Sequence, residues 1–262
     1  MDLGLADRTV LVTGGSSGVG LATVRALLAE GARVATCART PETLAAVAAG
    51  LDAGPDRLLT GVCDIRDTEA TAAFVDRAGD HFGGLDALVN NAGSSRMKRL
   101  AETTADDWRD ELELKFAGVL NPLHAALPLL RASDAACLVN INAVLAKQPE
   151  PRLITTSAAR AGILNLSASL ARELAPDGIR VNSVCLGLID TGQWTRRHAA
   201  SGSTLSYAQW QAELAADRGI ALGRIGRADE VAYAVLTLLS PRASYITGTT
   251  IDVCGGVGRG IA

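Results

Sequence analysis

The feature that most constrains this chain is a glycine-rich turn that lies between an apolar run and an amphipathic helical pattern. Residues 9–12 are apolar or β-branched, residues 13–20 read TGGSSGVG, and the helical pattern that follows stops at Gly31. Glycines allow a tight turn with close backbone approach, while the first N–H groups of a helix attract a phosphate. The turn therefore predicts a strand–turn–helix unit that binds a nucleotide phosphate, with Ser16 and Ser17 as additional hydroxyl donors.

Similar apolar or β-branched runs recur along the chain, and helical patterns separate them. They lie at residues 33–37, 58–63, 87–89, 137–141, 181–185 and 250–253. Strands that alternate with helices indicate a parallel sheet, and right-handed crossovers give a doubly wound sheet that binds its ligand at the carboxyl ends of the strands. We predict an α/β fold, a Rossmann-type doubly wound parallel sheet, in a single domain over residues 1–262.

Composition and charge exclude several classes of function. Hydrophobic residues make up 48% of the chain and the formal net charge is -3, so we expect a large core and no nucleic-acid partner. No apolar stretch reaches the ~18 residues that span a bilayer, and Asp2 and Asp7 stand where a secretion signal has bases, which predicts a cytoplasmic protein. The five cysteines are odd in number without C-x-x-C spacing, so we expect buried reduced thiols and no metal site.

Several motifs in order resemble those of the short-chain dehydrogenase/reductase family. They are T-G-x-x-x-G-x-G at residues 13–20, an acid at Asp64, N-N-A-G at 90–93, G-I-R-V-N at 178–182, Gly187 with Thr191 where the family has P-G-x-x-x-T, and I-T-G at 246–248. The resemblance covers nearly the whole chain. It implies a nicotinamide dinucleotide cofactor, a small-molecule carbonyl or alcohol substrate, and a homodimer or homotetramer.

The resemblance also implies which residues hold the cofactor. These are Gly14, Ser16, Ser17, Gly18, Val19, Gly20, Arg39, Asp64, Ile65, Asn91, Ala92, Gly93, Arg160, Gly187, Ile189 and Thr191. At the end of the second strand an acid binds the ribose 2′-hydroxyl, whereas an arginine favours a 2′-phosphate. Here the strand ends with Arg39 and no acid, so we expect NADP(H) in preference to NAD(H). The alternative is an Arg39 that only faces solvent.

The catalytic half of the resemblance is altered. Reductases of this family use an Asn, Ser, Tyr and Lys tetrad, and these positions correspond here to Lys115, Ala143, Thr156 and Arg160. No tyrosine lies between the N-terminus and Thr156, so misalignment does not explain the loss. A threonine hydroxyl is a far weaker acid than a phenol, and a guanidinium relays no protons.

Another group must therefore move the proton if the chain transfers hydride. Lys115 is the candidate, because burial near Arg160 would lower its pKa and make it an acid, a base or an imine-forming nucleophile. A water held by Asn142, Thr156 or Ser157 is a second possibility. The alternative is that Lys115 fills space and points to solvent or to Glu111 or Glu113.

Basic residues elsewhere suggest an anionic substrate. Arg96, Lys98 and Arg99 follow the N-N-A-G motif, and Arg196 and Arg197 lie in the least regular stretch, residues 188–224. This stretch follows a strand's carboxyl end, which favours a lid over the substrate. The alternative for the basic residues is that they are solvated surface charges. The alternative for residues 188–224 is a surface helical insertion.

Three functions follow. The first is an NADP(H)-dependent oxidoreductase that acts on a carbonyl or alcohol by an atypical mechanism. The second is a non-redox enzyme on the same scaffold, an isomerase, cyclase, lyase or dehydratase that stabilises an enolate-like state. The third is a catalytically inactive nucleotide-binding homologue.

Overall fold

The computed structural model describes residues 2–51 and 53–258, and a seven-stranded parallel sheet organises them. The strands are β1 (Thr9–Thr13), β2 (Arg33–Ala38), β3 (Leu58–Val62), β4 (Ala87–Asn90), β5 (Cys137–Ala143), β6 (Arg180–Leu186), β7 (Ile189–Asp190), β8 (Gly226–Arg227) and β9 (Thr250–Val253). The α-helices are α1 (Gly18–Ala29), α2 (Pro41–Gly50), α3 (Thr68–Phe82), α4 (Ala105–Arg131), α5 (Ile154–Glu173), α6 (Gly192–Ala200), α7 (Tyr207–Asp217) and α8 (Ala228–Leu239). β7 and β8 form a separate two-stranded pair.

The strand order is β3-β2-β1-β4-β5-β6-β9, so the direction of winding reverses between β1 and β4. Val12 of β1 lies opposite Thr36 of β2 on one side and Val89 of β4 on the other. The predicted Rossmann-type doubly wound sheet is therefore confirmed. The loops that follow β1 and β4 flank the crevice at this reversal, which is where such sheets bind ligands.

Two hydrophobic layers cover the sheet. Val24 and Leu27 of α1 pack with Val235 of α8 on one face, while Phe74 of α3 and Leu170 of α5 pack in the layer on the other face. Every residue of β1 is buried, as expected for a central parallel strand with both faces covered. The helix stop predicted at Gly31 is confirmed, since its φ of 79° is a left-handed conformation that favours glycine at a helix C-terminus.

Helices α4 and α5 are fixed to the sheet by polar contacts. The α4 helix begins with a reciprocal cap, in which the Thr104 hydroxyl accepts from the Asp107 N–H at 3.2 Å and the Asp107 carboxylate accepts from the Thr104 N–H at 2.9 Å. Under α5, the buried Asn140 amide donates to the Ser167 hydroxyl at 2.9 Å and accepts from the Asn90 amide at 3.0 Å. The Asn90 amide also donates to the Val119 carbonyl oxygen of α4 at 3.4 Å, so this buried amide pair joins both helices to β4 and β5.

Residues 188–224 are more regular than the sequence suggested, because they contain β7, α6 and α7. The α7 helix begins with a Ser206–Gln209 capping box, a sequence signal that was available but overlooked. Aromatic rings join α6 to α7: the centroids of Trp194 and Trp210 lie 6.1 Å apart, and those of His198 and Trp210 lie 5.3 Å apart.

Among the described helices, none combines the length and apolar character that crossing a membrane requires.

Candidate functional site

A cleft of about 580 Å³ opens at the carboxyl ends of the central strands, where the winding reverses. Most of the residues proposed from the sequence line it. They are Gly14, Ser16, Ser17, Gly18, Val19, Arg39, Asp64, Ile65, Asn91, Ala92, Gly93, Lys115, Asn142, Arg160 and Thr191. The remaining four, Gly20, Thr156, Gly187 and Ile189, are not part of the lining.

The glycine loop is shaped by contacts that leave no room for side chains. Gly14 and Gly18 have φ values of 72° and 55°, in the region that favours glycine. A Cβ on Gly14 would lie 2.9 Å from the Cα of Ala92, and one on Gly20 would lie 2.9 Å from the carbonyl carbon of Gly14. The loop therefore approaches the segment after β4 closely and directs the first turn of α1 into the cleft.

Asn91 fastens this loop to β4. Its side-chain amide donates to the carbonyl oxygens of Thr13 at 2.9 Å and Gly14 at 3.1 Å, and its backbone N–H donates to the Thr13 hydroxyl at 3.0 Å. Both donors of the amide are thus directed at the loop rather than into the cleft. Asn91 shapes the glycine loop, a role that its motif alone does not reveal.

Two charged residues at the outer end of the cleft differ in their partners: Asp64 forms an ion pair, and Arg39 does not. Asp64 accepts from the Arg66 guanidinium at 2.6 Å, and this hydrogen bond lowers the pKa of Asp64. Arg39 is exposed and, within the described part of the chain, forms neither a hydrogen bond nor an ion pair. Its guanidinium is therefore available to a ligand at the end of β2.

Gly187 and Ile189 support the cleft from behind. A Cβ on Gly187 would lie 2.8 Å from the Cα of Cys254, so this position needs glycine for the close approach of the loop after β9. Ile189 is buried in the hydrophobic layer that α1 and α8 share.

Lys115 lies at the floor of the cleft with only 7% of its surface exposed. Its ammonium donates to the carbonyl oxygen of Ser94 and lies 3.3 Å from Oε1 of Glu111. Burial and the positive charge of Arg160 lower the pKa of Lys115 to about 8, against the opposing effect of Glu111. Lys115 therefore points inward, next to Arg160, and not to solvent.

Arg160 is the second cation of the floor. Its Nη1 lies 3.5 Å from Oδ1 of Asn142, and the Asn142 amide donates to the Arg160 carbonyl oxygen at 3.0 Å. Its buried Nε has no hydrogen-bond partner among the described residues. Burial lowers the pKa of Arg160, although Glu111 opposes this. A buried donor without a partner costs free energy, so the site is suited to an acceptor supplied by a ligand.

Thr156 is fully buried, and its hydroxyl donates to Oε1 of Glu111 at 2.9 Å. The only proton of this hydroxyl is directed at the carboxylate, so Thr156 could hold the water predicted from the sequence only as an acceptor. The sequence analysis named Glu111 only as an acid to which a non-catalytic Lys115 could point. The available signal was the four-residue spacing from Glu111 to Lys115, which places both on one face of α4.

The mouth of the cleft is less positive than the sequence suggested. Lys98 binds Asp107 at 2.8 Å and Arg96 binds Asp110 at 3.2 Å, so carboxylates from α4 offset both cations. Arg197 stacks on the ring of Trp194, with 4.6 Å between its Cζ and the ring centroid. Arg196 lines the cleft and, among the described residues, has no hydrogen bond or ion pair.

The cysteines carry no metal-ligand cluster in the described part of the chain. All five are free thiols; four are buried and Cys254 is half-buried. No group of three or more potential ligands occurs among the residues that the structure describes.

Comparisons with known proteins agree with this geometry. A family model described as Enoyl-(Acyl carrier protein) reductase matches residues 14–258. The cis-4-hydroxycyclohexanecarboxylate dehydrogenase of Sinomonas cyclohexanicum is 35% identical over 252 residues, with 96% of each chain covered. The 3-oxoacyl-acyl-carrier-protein reductase of Thermotoga maritima is 30% identical over 253 residues, with 97% of this chain and 98% of the relative covered.

Two solved structures are similar over their whole length. A short chain oxidoreductase from Pseudomonas aeruginosa PAO1, solved with NADPH bound and described as containing an atypical catalytic center, is 46% identical with a TM-score of 0.92, covering 98% of this chain and 100% of that one. The L-sorbose reductase of Gluconobacter frateurii, solved with NADPH and L-sorbose, is 28% identical with a TM-score of 0.94, covering 100% of both chains.

Proposed function

Because this chain belongs to the short-chain dehydrogenase/reductase family, we propose that it is an NADP(H)-dependent oxidoreductase that interconverts a small-molecule carbonyl and alcohol. In this proposal the tetrad positions of the family are all substituted, and Lys115 takes over proton transfer from the missing tyrosine. One observation carries the proposal: the buried Lys115 ammonium, with its pKa lowered to about 8, lines the same cleft as the glycine loop.

The residues of the cleft fit a dinucleotide. Residues 14–19 would hold the diphosphate, since Gly14 and Gly18 allow close approach and α1 offers its first N–H groups. The unpartnered Nε of Arg160 would donate to a ribose oxygen. When bound, the nicotinamide ring supplies or accepts the hydride. The P. aeruginosa and G. frateurii proteins were solved with NADPH, which supports the same cofactor here.

Lys115 meets the requirements of a general acid for carbonyl reduction. A catalytic acid works best when its pKa lies near the operating pH, and a lysine near 8 is far closer to this condition than an ordinary lysine. Asn142 and Arg160 complete the floor: Asn142 positions Arg160, and Arg160 keeps a positive charge next to the ammonium. The absence of a phenol from the site is thereby compensated by an amine.

The test of this function combines binding with turnover. Purified protein is titrated with NADPH and NADH by fluorescence, and carbonyl compounds are then screened by nicotinamide absorbance and by product analysis. Stoichiometric loss of NADPH with formation of alcohol supports the proposal. Failure to bind either cofactor would contradict it.

A preference for NADP(H) rests on Arg39. We expect Arg39→Ala to weaken NADPH binding by about 10- to 100-fold, because a charge-assisted hydrogen bond contributes about 1.5–3 kcal/mol. NADH affinity should change little, since NADH lacks the 2′-phosphate, and it serves as the internal control. Equal losses for both cofactors in fluorescence titrations would contradict the proposed role.

An anionic substrate is proposed from the unpaired Arg196. Segment 188–224 would form a lid, and Arg196 would present its guanidinium to a carboxylate or phosphate. The S. cyclohexanicum relative is named for a substrate that carries a carboxylate, which supports this choice.

We expect Arg196→Ala to raise KM for a carboxylate-bearing ketone by about tenfold and to leave KM for an uncharged analogue nearly unchanged. Arg99→Ala is the matched control, because Arg99 is exposed and does not line the cleft. Steady-state kinetics with the two ketones measure the effect. A rise in KM for both ketones would point to a general effect on the lid.

The buried cation pair also favours a second candidate, a non-redox isomerase, cyclase, lyase or dehydratase in which Lys115 and Arg160 stabilise an enolate-like state. Product formation without any change in nicotinamide absorbance would distinguish it. For either enzyme we propose a homodimer or homotetramer built on α4 and α5, which light scattering coupled to size-exclusion chromatography would test.

A further inference from the structure

Glu111 is a buried carboxylate that lines the cleft beside Lys115. It lies one turn before Lys115 on α4 and is only 4% exposed. A carboxylate at this depth is costly unless charged or hydrogen-bonded partners compensate it. The partners that it has therefore indicate what it does.

One oxygen of Glu111 receives two partners from different helices. Oε1 accepts the Thr156 hydroxyl of α5 at 2.9 Å and lies 3.3 Å from the Lys115 ammonium. The carboxylate thus joins the residue in the family's tyrosine position to the residue in its asparagine position. Thr156 gives its single proton to this bond and so supports the carboxylate.

The charges around Lys115 need this carboxylate. Arg160 approaches from α5 with a like charge, Glu111 lies on α4 itself, and the loop after β4 provides the Ser94 carbonyl oxygen. The other cleft-lining carboxylates pair elsewhere: Asp64 with Arg66, Asp107 with Lys98 and Asp110 with Arg96. Without Glu111, the buried cations Lys115 and Arg160 would repel one another with no carboxylate of the described cleft to offset their charge.

We propose that Glu111 is the positioning residue of this site, holding the Lys115 ammonium at the cleft floor in its protonated form while Thr156 holds Glu111. That this arrangement serves catalysis rests on the proposed function. That Glu111 holds the Lys115 ammonium does not depend on it. The pKa of Lys115 supports it, because Glu111 raises that pKa against the lowering caused by burial and Arg160.

The test is a pH titration of the Lys115 side chain in the whole protein. The chain has three lysines, Lys98, Lys115 and Lys147, so the ¹³Cε and ¹⁵Nζ signals of selectively labelled lysine can be assigned by substitution. In Glu111→Gln we expect the Lys115 midpoint to fall from about 8 by about one to three pH units, because an opposite charge at this distance is lost. Glu111→Asp keeps the charge, so its Lys115 midpoint should lie between that of Glu111→Gln and that of the unaltered protein.

The matched control is Glu113→Gln, an exposed glutamate on the same helix that should leave the midpoint unchanged. If Glu111→Gln does not fold, Glu111→Asp and Thr156→Val provide smaller shifts in the same direction. An unchanged Lys115 midpoint in folded Glu111 variants overturns the inference.

Activity separates this inference from the proposed function. If Lys115 is the acid, the alkaline limb of NADPH-dependent reduction shifts to lower pH in Glu111→Gln by the same amount as the midpoint, whereas a purely structural defect lowers the rate without moving the limb. A shifted midpoint with an unshifted limb would support the role of Glu111 in holding Lys115 and remove Lys115 from proton transfer.

Discussion

Replacing Lys115 with methionine is expected to lower kcat/KM for carbonyl reduction by about 10²- to 10⁴-fold, the usual loss when a general acid is removed. Methionine retains the length and apolar stem of lysine, so the cleft should keep its shape. NADPH affinity should fall far less than turnover, because the polar contacts of Lys115 in the described part of the chain are with Ser94 and Glu111 and not with the glycine loop or Arg39. Steady-state kinetics together with fluorescence titration measure the two quantities on the same protein.

The control for this variant is Lys147→Met. Lys147 forms an ion pair with Asp252 at 2.9 Å and does not line the cleft, so its loss should leave turnover nearly unchanged. If Lys115→Met turns over as fast as the unaltered protein, Lys115 is not the proton donor, and a water near Asn142 becomes the next candidate.

The pH dependence follows from the same group. The pKa of Lys115 is about 8, so the ammonium is present below that pH and is lost above it. Reduction, which needs a proton donor, should be fastest below pH 8 and decline as the pH rises through it. Alcohol oxidation, which needs the neutral amine as a base, should rise over the same range. Both limbs should be absent from the residual activity of Lys115→Met.

Gly20→Ala is expected to weaken NADPH binding by roughly 10- to 100-fold. A Cβ at this position would press on the Gly14 carbonyl group and on the Asn91 amide that fastens the loop. Overpacking of this kind costs about 1–3 kcal/mol, and the loop can relieve it only by moving away from the shape that we propose binds the diphosphate. Fluorescence titration gives the loss in affinity, and thermal unfolding gives the part of the strain that lowers the stability of the fold.

Gly50→Ala is the matched control, since Gly50 is also a helical glycine but a Cβ there would meet nothing within 4 Å. It should bind NADPH as the unaltered protein does and be equally or slightly more stable. Unchanged NADPH affinity in Gly20→Ala would mean that the tight contact between this loop and Asn91 is not needed for binding.

Local patterns in the sequence were enough for the scaffold. The apolar run at β1, the glycine turn and the helix stop at Gly31 follow from backbone preferences within a few residues, and all agree with the structure. Parallel pairing of strands follows from the alternation of strand and helix, because a crossover helix returns each strand in the same direction. The α6 and α7 helices were not predicted from the sequence. They pack through aromatic contacts such as Trp194 with Trp210, which do not appear as an apolar period in the sequence.

Local sequence patterns did not predict which charged residues of the cleft form ion pairs. The basic residues after β4 suggested a positive cleft, but Asp107 and Asp110 approach them from α4 and neutralise Lys98 and Arg96. Arg39, Arg160 and Arg196 remain as cleft-lining cations without a carboxylate within ion-pair distance in the described part of the chain. We expect these three cations to contribute more than Lys98 or Arg96 to binding an anionic ligand.

Residue types at fixed short spacings are enough to establish the Rossmann-type sheet, the glycine loop and the absence of a tyrosine from the expected position. Only the packing of the helices in space shows that Thr156 is bound to Glu111 and that Lys115 is buried near both Glu111 and Arg160. Thr156 and Glu111 are 45 residues apart in the chain, and a pKa depends on the distance and burial of charges in space. The chemistry of this site is therefore set by the packing of α4 against α5.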